Sequence, residues 1–363
     1  MSFCGSYRAD DVEFLLKPLA QQPFVDVAHK EQLIQSGARH YSEMLSPESL
    51  PSARYLQVFQ DAYAANRQQM ARDCLALAAL IAARRTGPIT LVSLVRAGTP
   101  VGVILKHLLH RVLGREVVHY SVSIIRDRGI DTVALQHILA QGHTPESIVF
   151  IDGWTGKGVI SRVLDEAVTD FNQRHAVAID PGLYVLSDLA GTAACAASSA
   201  DYLIPSSILN ATVSGLVSRS VLNESIGPGE FHGCVYYDAF AAHDQSRQFA
   251  DGLIADGIAL AAREGLPDVA PIDRVAVAAV SATFLQATMA QHGIVDVNLV
   301  KPGIGEATRV LLRRVPRLLI LRDPATPDVK HLTVLATEKE VPLIVDPDLP
   351  YQAVSLIRSA VDG

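Results

Sequence analysis

The stretch SIVFIDGWTGKGVISRV, Ser147 to Val163, decides the fold. An apolar run ends on Asp152, a loop from Gly153 to Lys157 follows with Gly158 behind it, and a helical pattern then opens. Glycines between a strand and a helix let backbone N–H groups point inward, and the helix N-terminus adds partial positive charge, so the junction predicts an anion site. The single tryptophan, Trp154, lies inside this loop.

Working outward, the same alternation recurs. ITLVSLV from Ile89 reads as a buried strand, RAGTP leads into a helix near Val101–Leu113, and EVVHYSVSII reads as the next strand. RDRGIDT is a polar connection, VALQHILAQG a helix, GLYVLSD a strand and ADYLIP a short one. Apolar strands alternating with amphipathic helices predict an α/β fold whose parallel sheet is covered on both faces. Before it, residues 1–87 read as mostly helical: DDVEFLLKPL starts with acids suited to a helix N-terminus, and the run from Ser52 to Arg85 has helical spacing. After the core of residues 88–205 comes a Ser-, Asn- and Gly-rich segment, helical from about Asp244 to Arg263, which with a linker makes up residues 206–270. Residues 271–363 read as a second α/β unit.

The formal charge of −7 argues against a surface devoted to nucleic acid but leaves room for a local basic patch. No apolar stretch reaches the ~18–20 residues of a membrane span, and the N-terminus lacks a signal-peptide pattern, so no membrane partner and a cytoplasmic location are expected. No metal-ligand spacing or disulfide framework is visible.

Three phosphate-binding patterns compete at the loop. GWTGKG lacks the spacing of a nucleotide P-loop. The dinucleotide fingerprint fits only in Gly156, Gly158 and Ser161, and Asp188 lies too far beyond it. An apolar strand, an acid and then Thr-Gly-Lys-Gly suits a sugar phosphate, with Asp152 accepting from ribose hydroxyls and the loop from Gly153 through Trp154, Thr155, Gly156 and Lys157 to Gly158 around the phosphate.

This pattern resembles the diphosphoribose motif of type I phosphoribosyltransferases, with Gly153 in place of the second acid. The resemblance implies a diphosphate loop at Arg96, Ala97, Gly98 and Thr99, and a mobile loop whose Arg126 and Arg128 clamp the diphosphate. It gives Asp152, Arg126 and Arg128 catalytic roles, and Trp154 a place over the ribose or against the neighbouring turn. It further implies pentosyl transfer from phosphoribosyl diphosphate to a base-like acceptor, read by Asn210, Ser214 and Arg219 under a hood, with Mg2+ held mainly by the diphosphate. A phosphoribosyl diphosphate or nucleotide sensor without turnover and an RNA-linked processing enzyme are the alternatives.

SYRADDVEFLLKPL, ARHYSEMLSPE and ILNATVSGLVSRSV extend the likeness to a bacterial group of tellurium-resistance and stress gene clusters. Its members are described as phosphoribosyltransferase-like and are also named as cysteine proteases. Proteolysis needs a thiolate, a base and an orienting group. Cys74, on an apolar helix, Cys195, on a helix face, and Cys234, beside His232, read instead as structural, so proteolysis is not expected.

Lys301 to Val345 resembles the Pelota-like family that binds kinked RNA. That resemblance assigns RNA contacts to Gly303, Gly305, Glu306 and Arg309, with Gly305 replacing an asparagine and Arg309 a lysine. Arg313, Arg314 and Arg317 continue a basic stripe, consistent with structured RNA as a partner. A docking or dimerisation module, including a homodimer, is the other reading of this unit.

Overall fold

The computed structural model describes residues 2–20, 25–46 and 48–358. Its centre is a six-stranded sheet: β1 (Glu13–Leu15), β2 (Ile89–Leu94), β3 (Val117–Val122), β4 (Ile148–Thr155), β5 (Leu183–Asp188) and β6 (Cys195–Ser198). The spatial order is β1-β3-β2-β4-β5-β6, and every neighbouring pair is parallel. Helices cover both faces, as buried parallel strands require. Leu91, Val149 and Ile151 face α2 (Ala53–Arg84), α3 (Gly98–Arg111) and α6 (Ser246–Glu264). Val92, Phe150 and Val185 face α4 (Thr132–Ala140) and α5 (Val159–His175).

The chain leaves β2 toward β3 on one side and reaches β4 on the other. The strand order therefore reverses between β2 and β4, where open α/β sheets form a crevice at the carboxyl ends of their strands.

Three local expectations change. DDVEFLLKPL holds β1, not a helix: the Asp11 carboxylate accepts from Arg8 N at 3.0 Å and meets His107 Nε2 at 2.8 Å, which frees the following residues to pair with β3. ADYLIP carries no strand; β6 runs earlier, and Cys195 lies on it rather than on a helix face. The central strand continues through Gly153, Trp154 and Thr155, because Trp154 and Thr155 stay in register with Ser187 and Asp188 of β5.

The C-terminal unit has its own sheet, β7 (Val300–Pro302), β8 (Pro316–Leu321), β9 (Leu343–Val345) and β10 (Ala353–Ile357), in the order β7-β10-β8-β9. Only β8 and β9 pair in parallel. RVAVAAVS belongs to one helix, α7 (Arg274–His292), and α8 (Ile304–Arg313) and α9 (Lys330–Glu338) complete the unit. Among the described residues no helix is long and apolar enough to cross a membrane.

Candidate anion-binding cleft

The glycine loop does not keep its polar groups for a ligand. Thr155 Oγ1 accepts from Gly158 N at 3.0 Å, closing the turn onto itself. Lys157 Nζ donates to the carbonyls of Val297 and Val300 at 2.5 and 3.0 Å, tying the loop to the approach of β7. Burial is the main reason that its ammonium is pushed down to about 7.

Trp154 lies against α8. A Cβ on Gly305 would stand 2.3 Å from indole Cε2, so only glycine lets the ring sit there. The Arg309 guanidinium covers the same ring at 4.5 Å, a cation–π contact. A Cβ on Gly156 would lie 2.9 Å from the Pro302 carbonyl oxygen and 3.0 Å from Glu306 Cγ. Asp201 holds the helix start in place, accepting from Ile304 N at 2.9 Å and Gln352 N at 2.8 Å. The expected sugar-phosphate loop and the expected RNA turn are therefore packed on one another. Trp154 takes the packing role, against a turn of the other unit.

Glu306 pairs with Arg309 at 2.8 Å and approaches Lys301 at 3.7 Å. Burial opposes its ionisation, yet Arg309, Lys301 and Lys157 outweigh it and hold the carboxyl down at about 2. Asp152 keeps one oxygen on Gly153 N at 2.8 Å, and burial pushes its carboxyl up to about 6 against the pull of Arg309.

Between these surfaces a cleft of about 630 Å³ opens at the sheet's switch point. Among the described residues ten basic side chains and four carboxylates line it, in a chain whose formal charge is −7. A polar cluster in the cleft joins five segments. Arg96, after β2, pairs with Glu48 at 2.6 Å and donates to Asn210 Oδ1 at 3.3 Å. The same Asn210 oxygen accepts from Arg313, at the end of α8, with Nε at 2.8 Å. Arg219 donates to the carbonyls of Tyr41 and Met44. Arg314 forms a two-pronged pair with Glu31 at 2.6 and 2.7 Å, and Lys30 stands beside it on α1 (Val27–Gln35).

Among the described residues Glu48 and Glu31 each pair with an arginine, whereas Arg219 and Arg313 hydrogen-bond only neutral oxygens and share the charge of Glu48, Arg219 also lying over the Tyr41 ring at 5.4 Å. Burial and the crowd of like charges push Arg313 well below the ordinary guanidinium range and Arg219 down to about 10. A guanidinium does not give up its proton, so the depression marks positive charge that Glu48 offsets only in part.

The remaining sequence candidates divide. Arg126 lines the cleft, with its backbone N–H bonded to Tyr41 Oη at 2.7 Å, whereas Arg128 is engaged by Glu43 at 2.5 Å and does not line it. Ala97, Gly98 and Thr99 do not line it either. A Cβ on Gly98 would lie 2.4 Å from the Ile151 carbonyl, and Thr99 is buried against Ser121 at 2.7 Å. Ser214 is buried and bonds the Asn210 carbonyl at 2.8 Å, while Asn210 and Arg219 reach the cleft. Gly303 abuts Leu189 and Asp201. Lys30, Glu31 and Glu48 escaped the sequence reading, because nothing in their spacing ties them to the sheet; ARHYSEMLSPE, which contains Tyr41 and Glu48, was the available signal.

Among the described residues no three His, Cys, Asp or Glu side chains converge as a metal cluster.

Burial raises the thiols of Cys74, Cys195 and Cys234, the last to about 12, and Cys4 is the half-buried one. His232 Nδ1 meets Ser123 Oγ at 2.8 Å rather than a thiol.

A family model described as tellurite-like stress resistance cysteine protease StiP matches residues 5–254. A PELOTA RNA binding domain model matches residues 279–359. The protein named Cysteine protease StiP from Acinetobacter baylyi is 41% identical over 373 residues, covering 99% of this chain and 96% of that one. These matches overturn the expectation of a phosphoribosyl-transferring enzyme and of its transferase chemistry: the names point to a protease-like hydrolase, which the sequence reading had set aside.

Proposed function

This chain belongs to the StiP family of stress-resistance proteins named as cysteine proteases, and on that premise we propose that its working site is the cleft, which recognises a small, multiply charged anion held jointly by the sheet and the C-terminal unit. The observation that carries this is the pair Arg219 and Arg313, two enclosed guanidinium groups that hydrogen-bond only neutral oxygens and share with Arg96 the charge of one carboxylate, Glu48. Buried charge is otherwise paired, and a tetrahedral oxyanion offers enough acceptors to serve both. The volume suits a small molecule, a chain end or an acidic side chain rather than a duplex.

The matches and the topology support a finer division of the fold. We propose that the core of residues 88–205, completed by β1 from the segment 1–87, is a type I phosphoribosyltransferase-like sheet followed by the segment 206–270, and that residues 271–363 form a Pelota-like unit.

Sulfate tests the cleft, since it stays dianionic across the working pH range. Burial, then Arg219, Arg314 and Arg313, push Lys30 down to about 7 from its ordinary 10.5. The unfolded chain thus binds this proton more tightly, so unliganded stability rises between those values. A bound anion removes the penalty. Thermal unfolding should show sulfate stabilisation that is greatest below pH 7 and declines above it, with Lys30→Met flattening the profile. Equal stabilisation by sulfate and by chloride of matched ionic strength would exclude a built site.

The names favour a second reading, proteolysis through a thiolate. Its candidate here is Cys4, since the other three thiols are buried. Peptide hydrolysis that is lost in Cys4→Ser and restored by no other cysteine supports it; hydrolysis that survives Cys4→Ser removes it.

A further inference from the structure

Charge and space in the cleft do not match. Three guanidinium groups, Arg96, Arg219 and Arg313, gather about one carboxylate, Glu48, while Arg314 and Glu31 cancel each other. Two positive charges remain before Lys30 is counted. Arg96 and Arg313 converge on a single atom, Asn210 Oδ1, so these charges suit one dianionic head rather than two separate carboxylates. Such a head fills the space of roughly three water molecules at ~30 Å³ each. The cleft measures about 630 Å³.

The surface beside the cluster is apolar. On α1 the stripe that lines the cleft is Val27, Lys30 and Ile34, spaced as one helix face, so Lys30 stands between two hydrophobic side chains. Leu50 and Pro51 follow closely on Glu48, and Leu312 precedes Arg313. Phe240, stacked on Tyr237 at 5.0 Å, lines the same space. None of these apolar side chains is fully buried, and Leu50 keeps 39% of its surface exposed. Apolar walls around a few convergent polar groups are how proteins hold small organic molecules.

We infer that the cleft takes an organic phosphate monoester with an apolar body, an aryl or alkyl phosphate, its head between Arg219 and Arg313 and its body against Leu50, Leu312 and the Val27–Ile34 stripe. The inference rests on the cleft being an anion site and names the class of molecule that carries the anion. A sulfonate or a carboxylate on the same body brings one charge and leaves the other uncompensated. A free oxyanion satisfies the charge and leaves the apolar walls facing water.

Thermal unfolding of the full chain at about pH 7, where monoesters with a second pKa of about 6 are mostly dianions, tests it. Four anions are compared with chloride at equal ionic strength: sulfate, glycerol 1-phosphate, phenyl phosphate and benzenesulfonate. Affinities follow from the dependence of stability on concentration. Phenyl phosphate is expected to bind at least about tenfold more tightly than sulfate or glycerol 1-phosphate, the gain that burying one ring supplies. It should also exceed benzenesulfonate, which has the same ring and a single charge. Leu50→Ser, at an exposed position, should narrow the gap between phenyl phosphate and sulfate, and Ile34→Ser combined with it should narrow the gap further. Phenyl phosphate no tighter than sulfate, a gap unchanged in both variants, or benzenesulfonate as tight as phenyl phosphate overturns the inference. The two claims separate in the same data. If sulfate stabilises the chain beyond chloride while phenyl phosphate adds nothing, the anion site stands and the apolar body falls; if neither exceeds chloride, the anion site itself fails.

Discussion

Replacing Gly305 with alanine is expected to destabilise the wild-type protein and to stabilise a Trp154→Ala variant. In an isolated helix the change from glycine to alanine gains about 1 kcal/mol. Here the added Cβ would stand 2.3 Å from the indole, and overpacking of that kind costs about 1–3 kcal/mol. Trp154→Ala alone should cost about 3–5 kcal/mol, because a nearly buried ring is lost together with its contact to Arg309. With the ring gone the collision is gone, and the helix preference of alanine is all that remains. Denaturant unfolding of the four proteins gives the double-mutant cycle, and additive effects would show that the two residues do not meet.

Glu48→Ala should cost about 3–5 kcal/mol, since it removes one side of a buried pair and leaves Arg96 beside Arg219 and Arg313 with no carboxylate. Burial works against the Glu48 charge, but Arg96 and Arg313 outweigh it and hold its carboxyl below the ordinary 4.5. Its contribution is therefore complete above that value and is lost as pH falls through the lower, folded one. A simple loss of packing would leave the response to sulfate unchanged, whereas a vacated anion site would not. Sulfate should restore more stability to Glu48→Ala than it gives to wild type, because an anion can occupy part of the place the carboxylate leaves. Equal gains in the two proteins would count against a shared anion site.

The core strands were legible because buried strands and amphipathic helices leave periods that survive in one dimension. Where the reading failed, a short-range signal had a long-range use. Asp10 and Asp11 look like a helix start, but the Asp11 carboxylate serves Arg8 N and His107. Asp201, within an apparent strand, is spent on the start of α8. Two oddities of the candidate site were also visible, a tryptophan in a glycine loop and a glycine where an RNA-reading family has an asparagine. They are one contact, and only the fold brings them together. Lys30 and Glu48 carried no periodic signal, and their roles come from Arg314, Arg96 and Arg313 on other elements.

The central claim is that Arg313 completes an anion site at the expense of the unliganded fold. Thermal unfolding of wild type and Arg313→Gln, with and without inorganic diphosphate, tests it most directly. At 100 times its dissociation constant the anion should stabilise wild type by about 2.7 kcal/mol. Arg313→Gln should lose most of that gain while unfolding, without ligand, at a temperature no lower than wild type, because Asn210 keeps its bond from Arg96 and a buried like charge is gone. An equal diphosphate gain in the two proteins, or a large drop in the unliganded variant, would contradict the account.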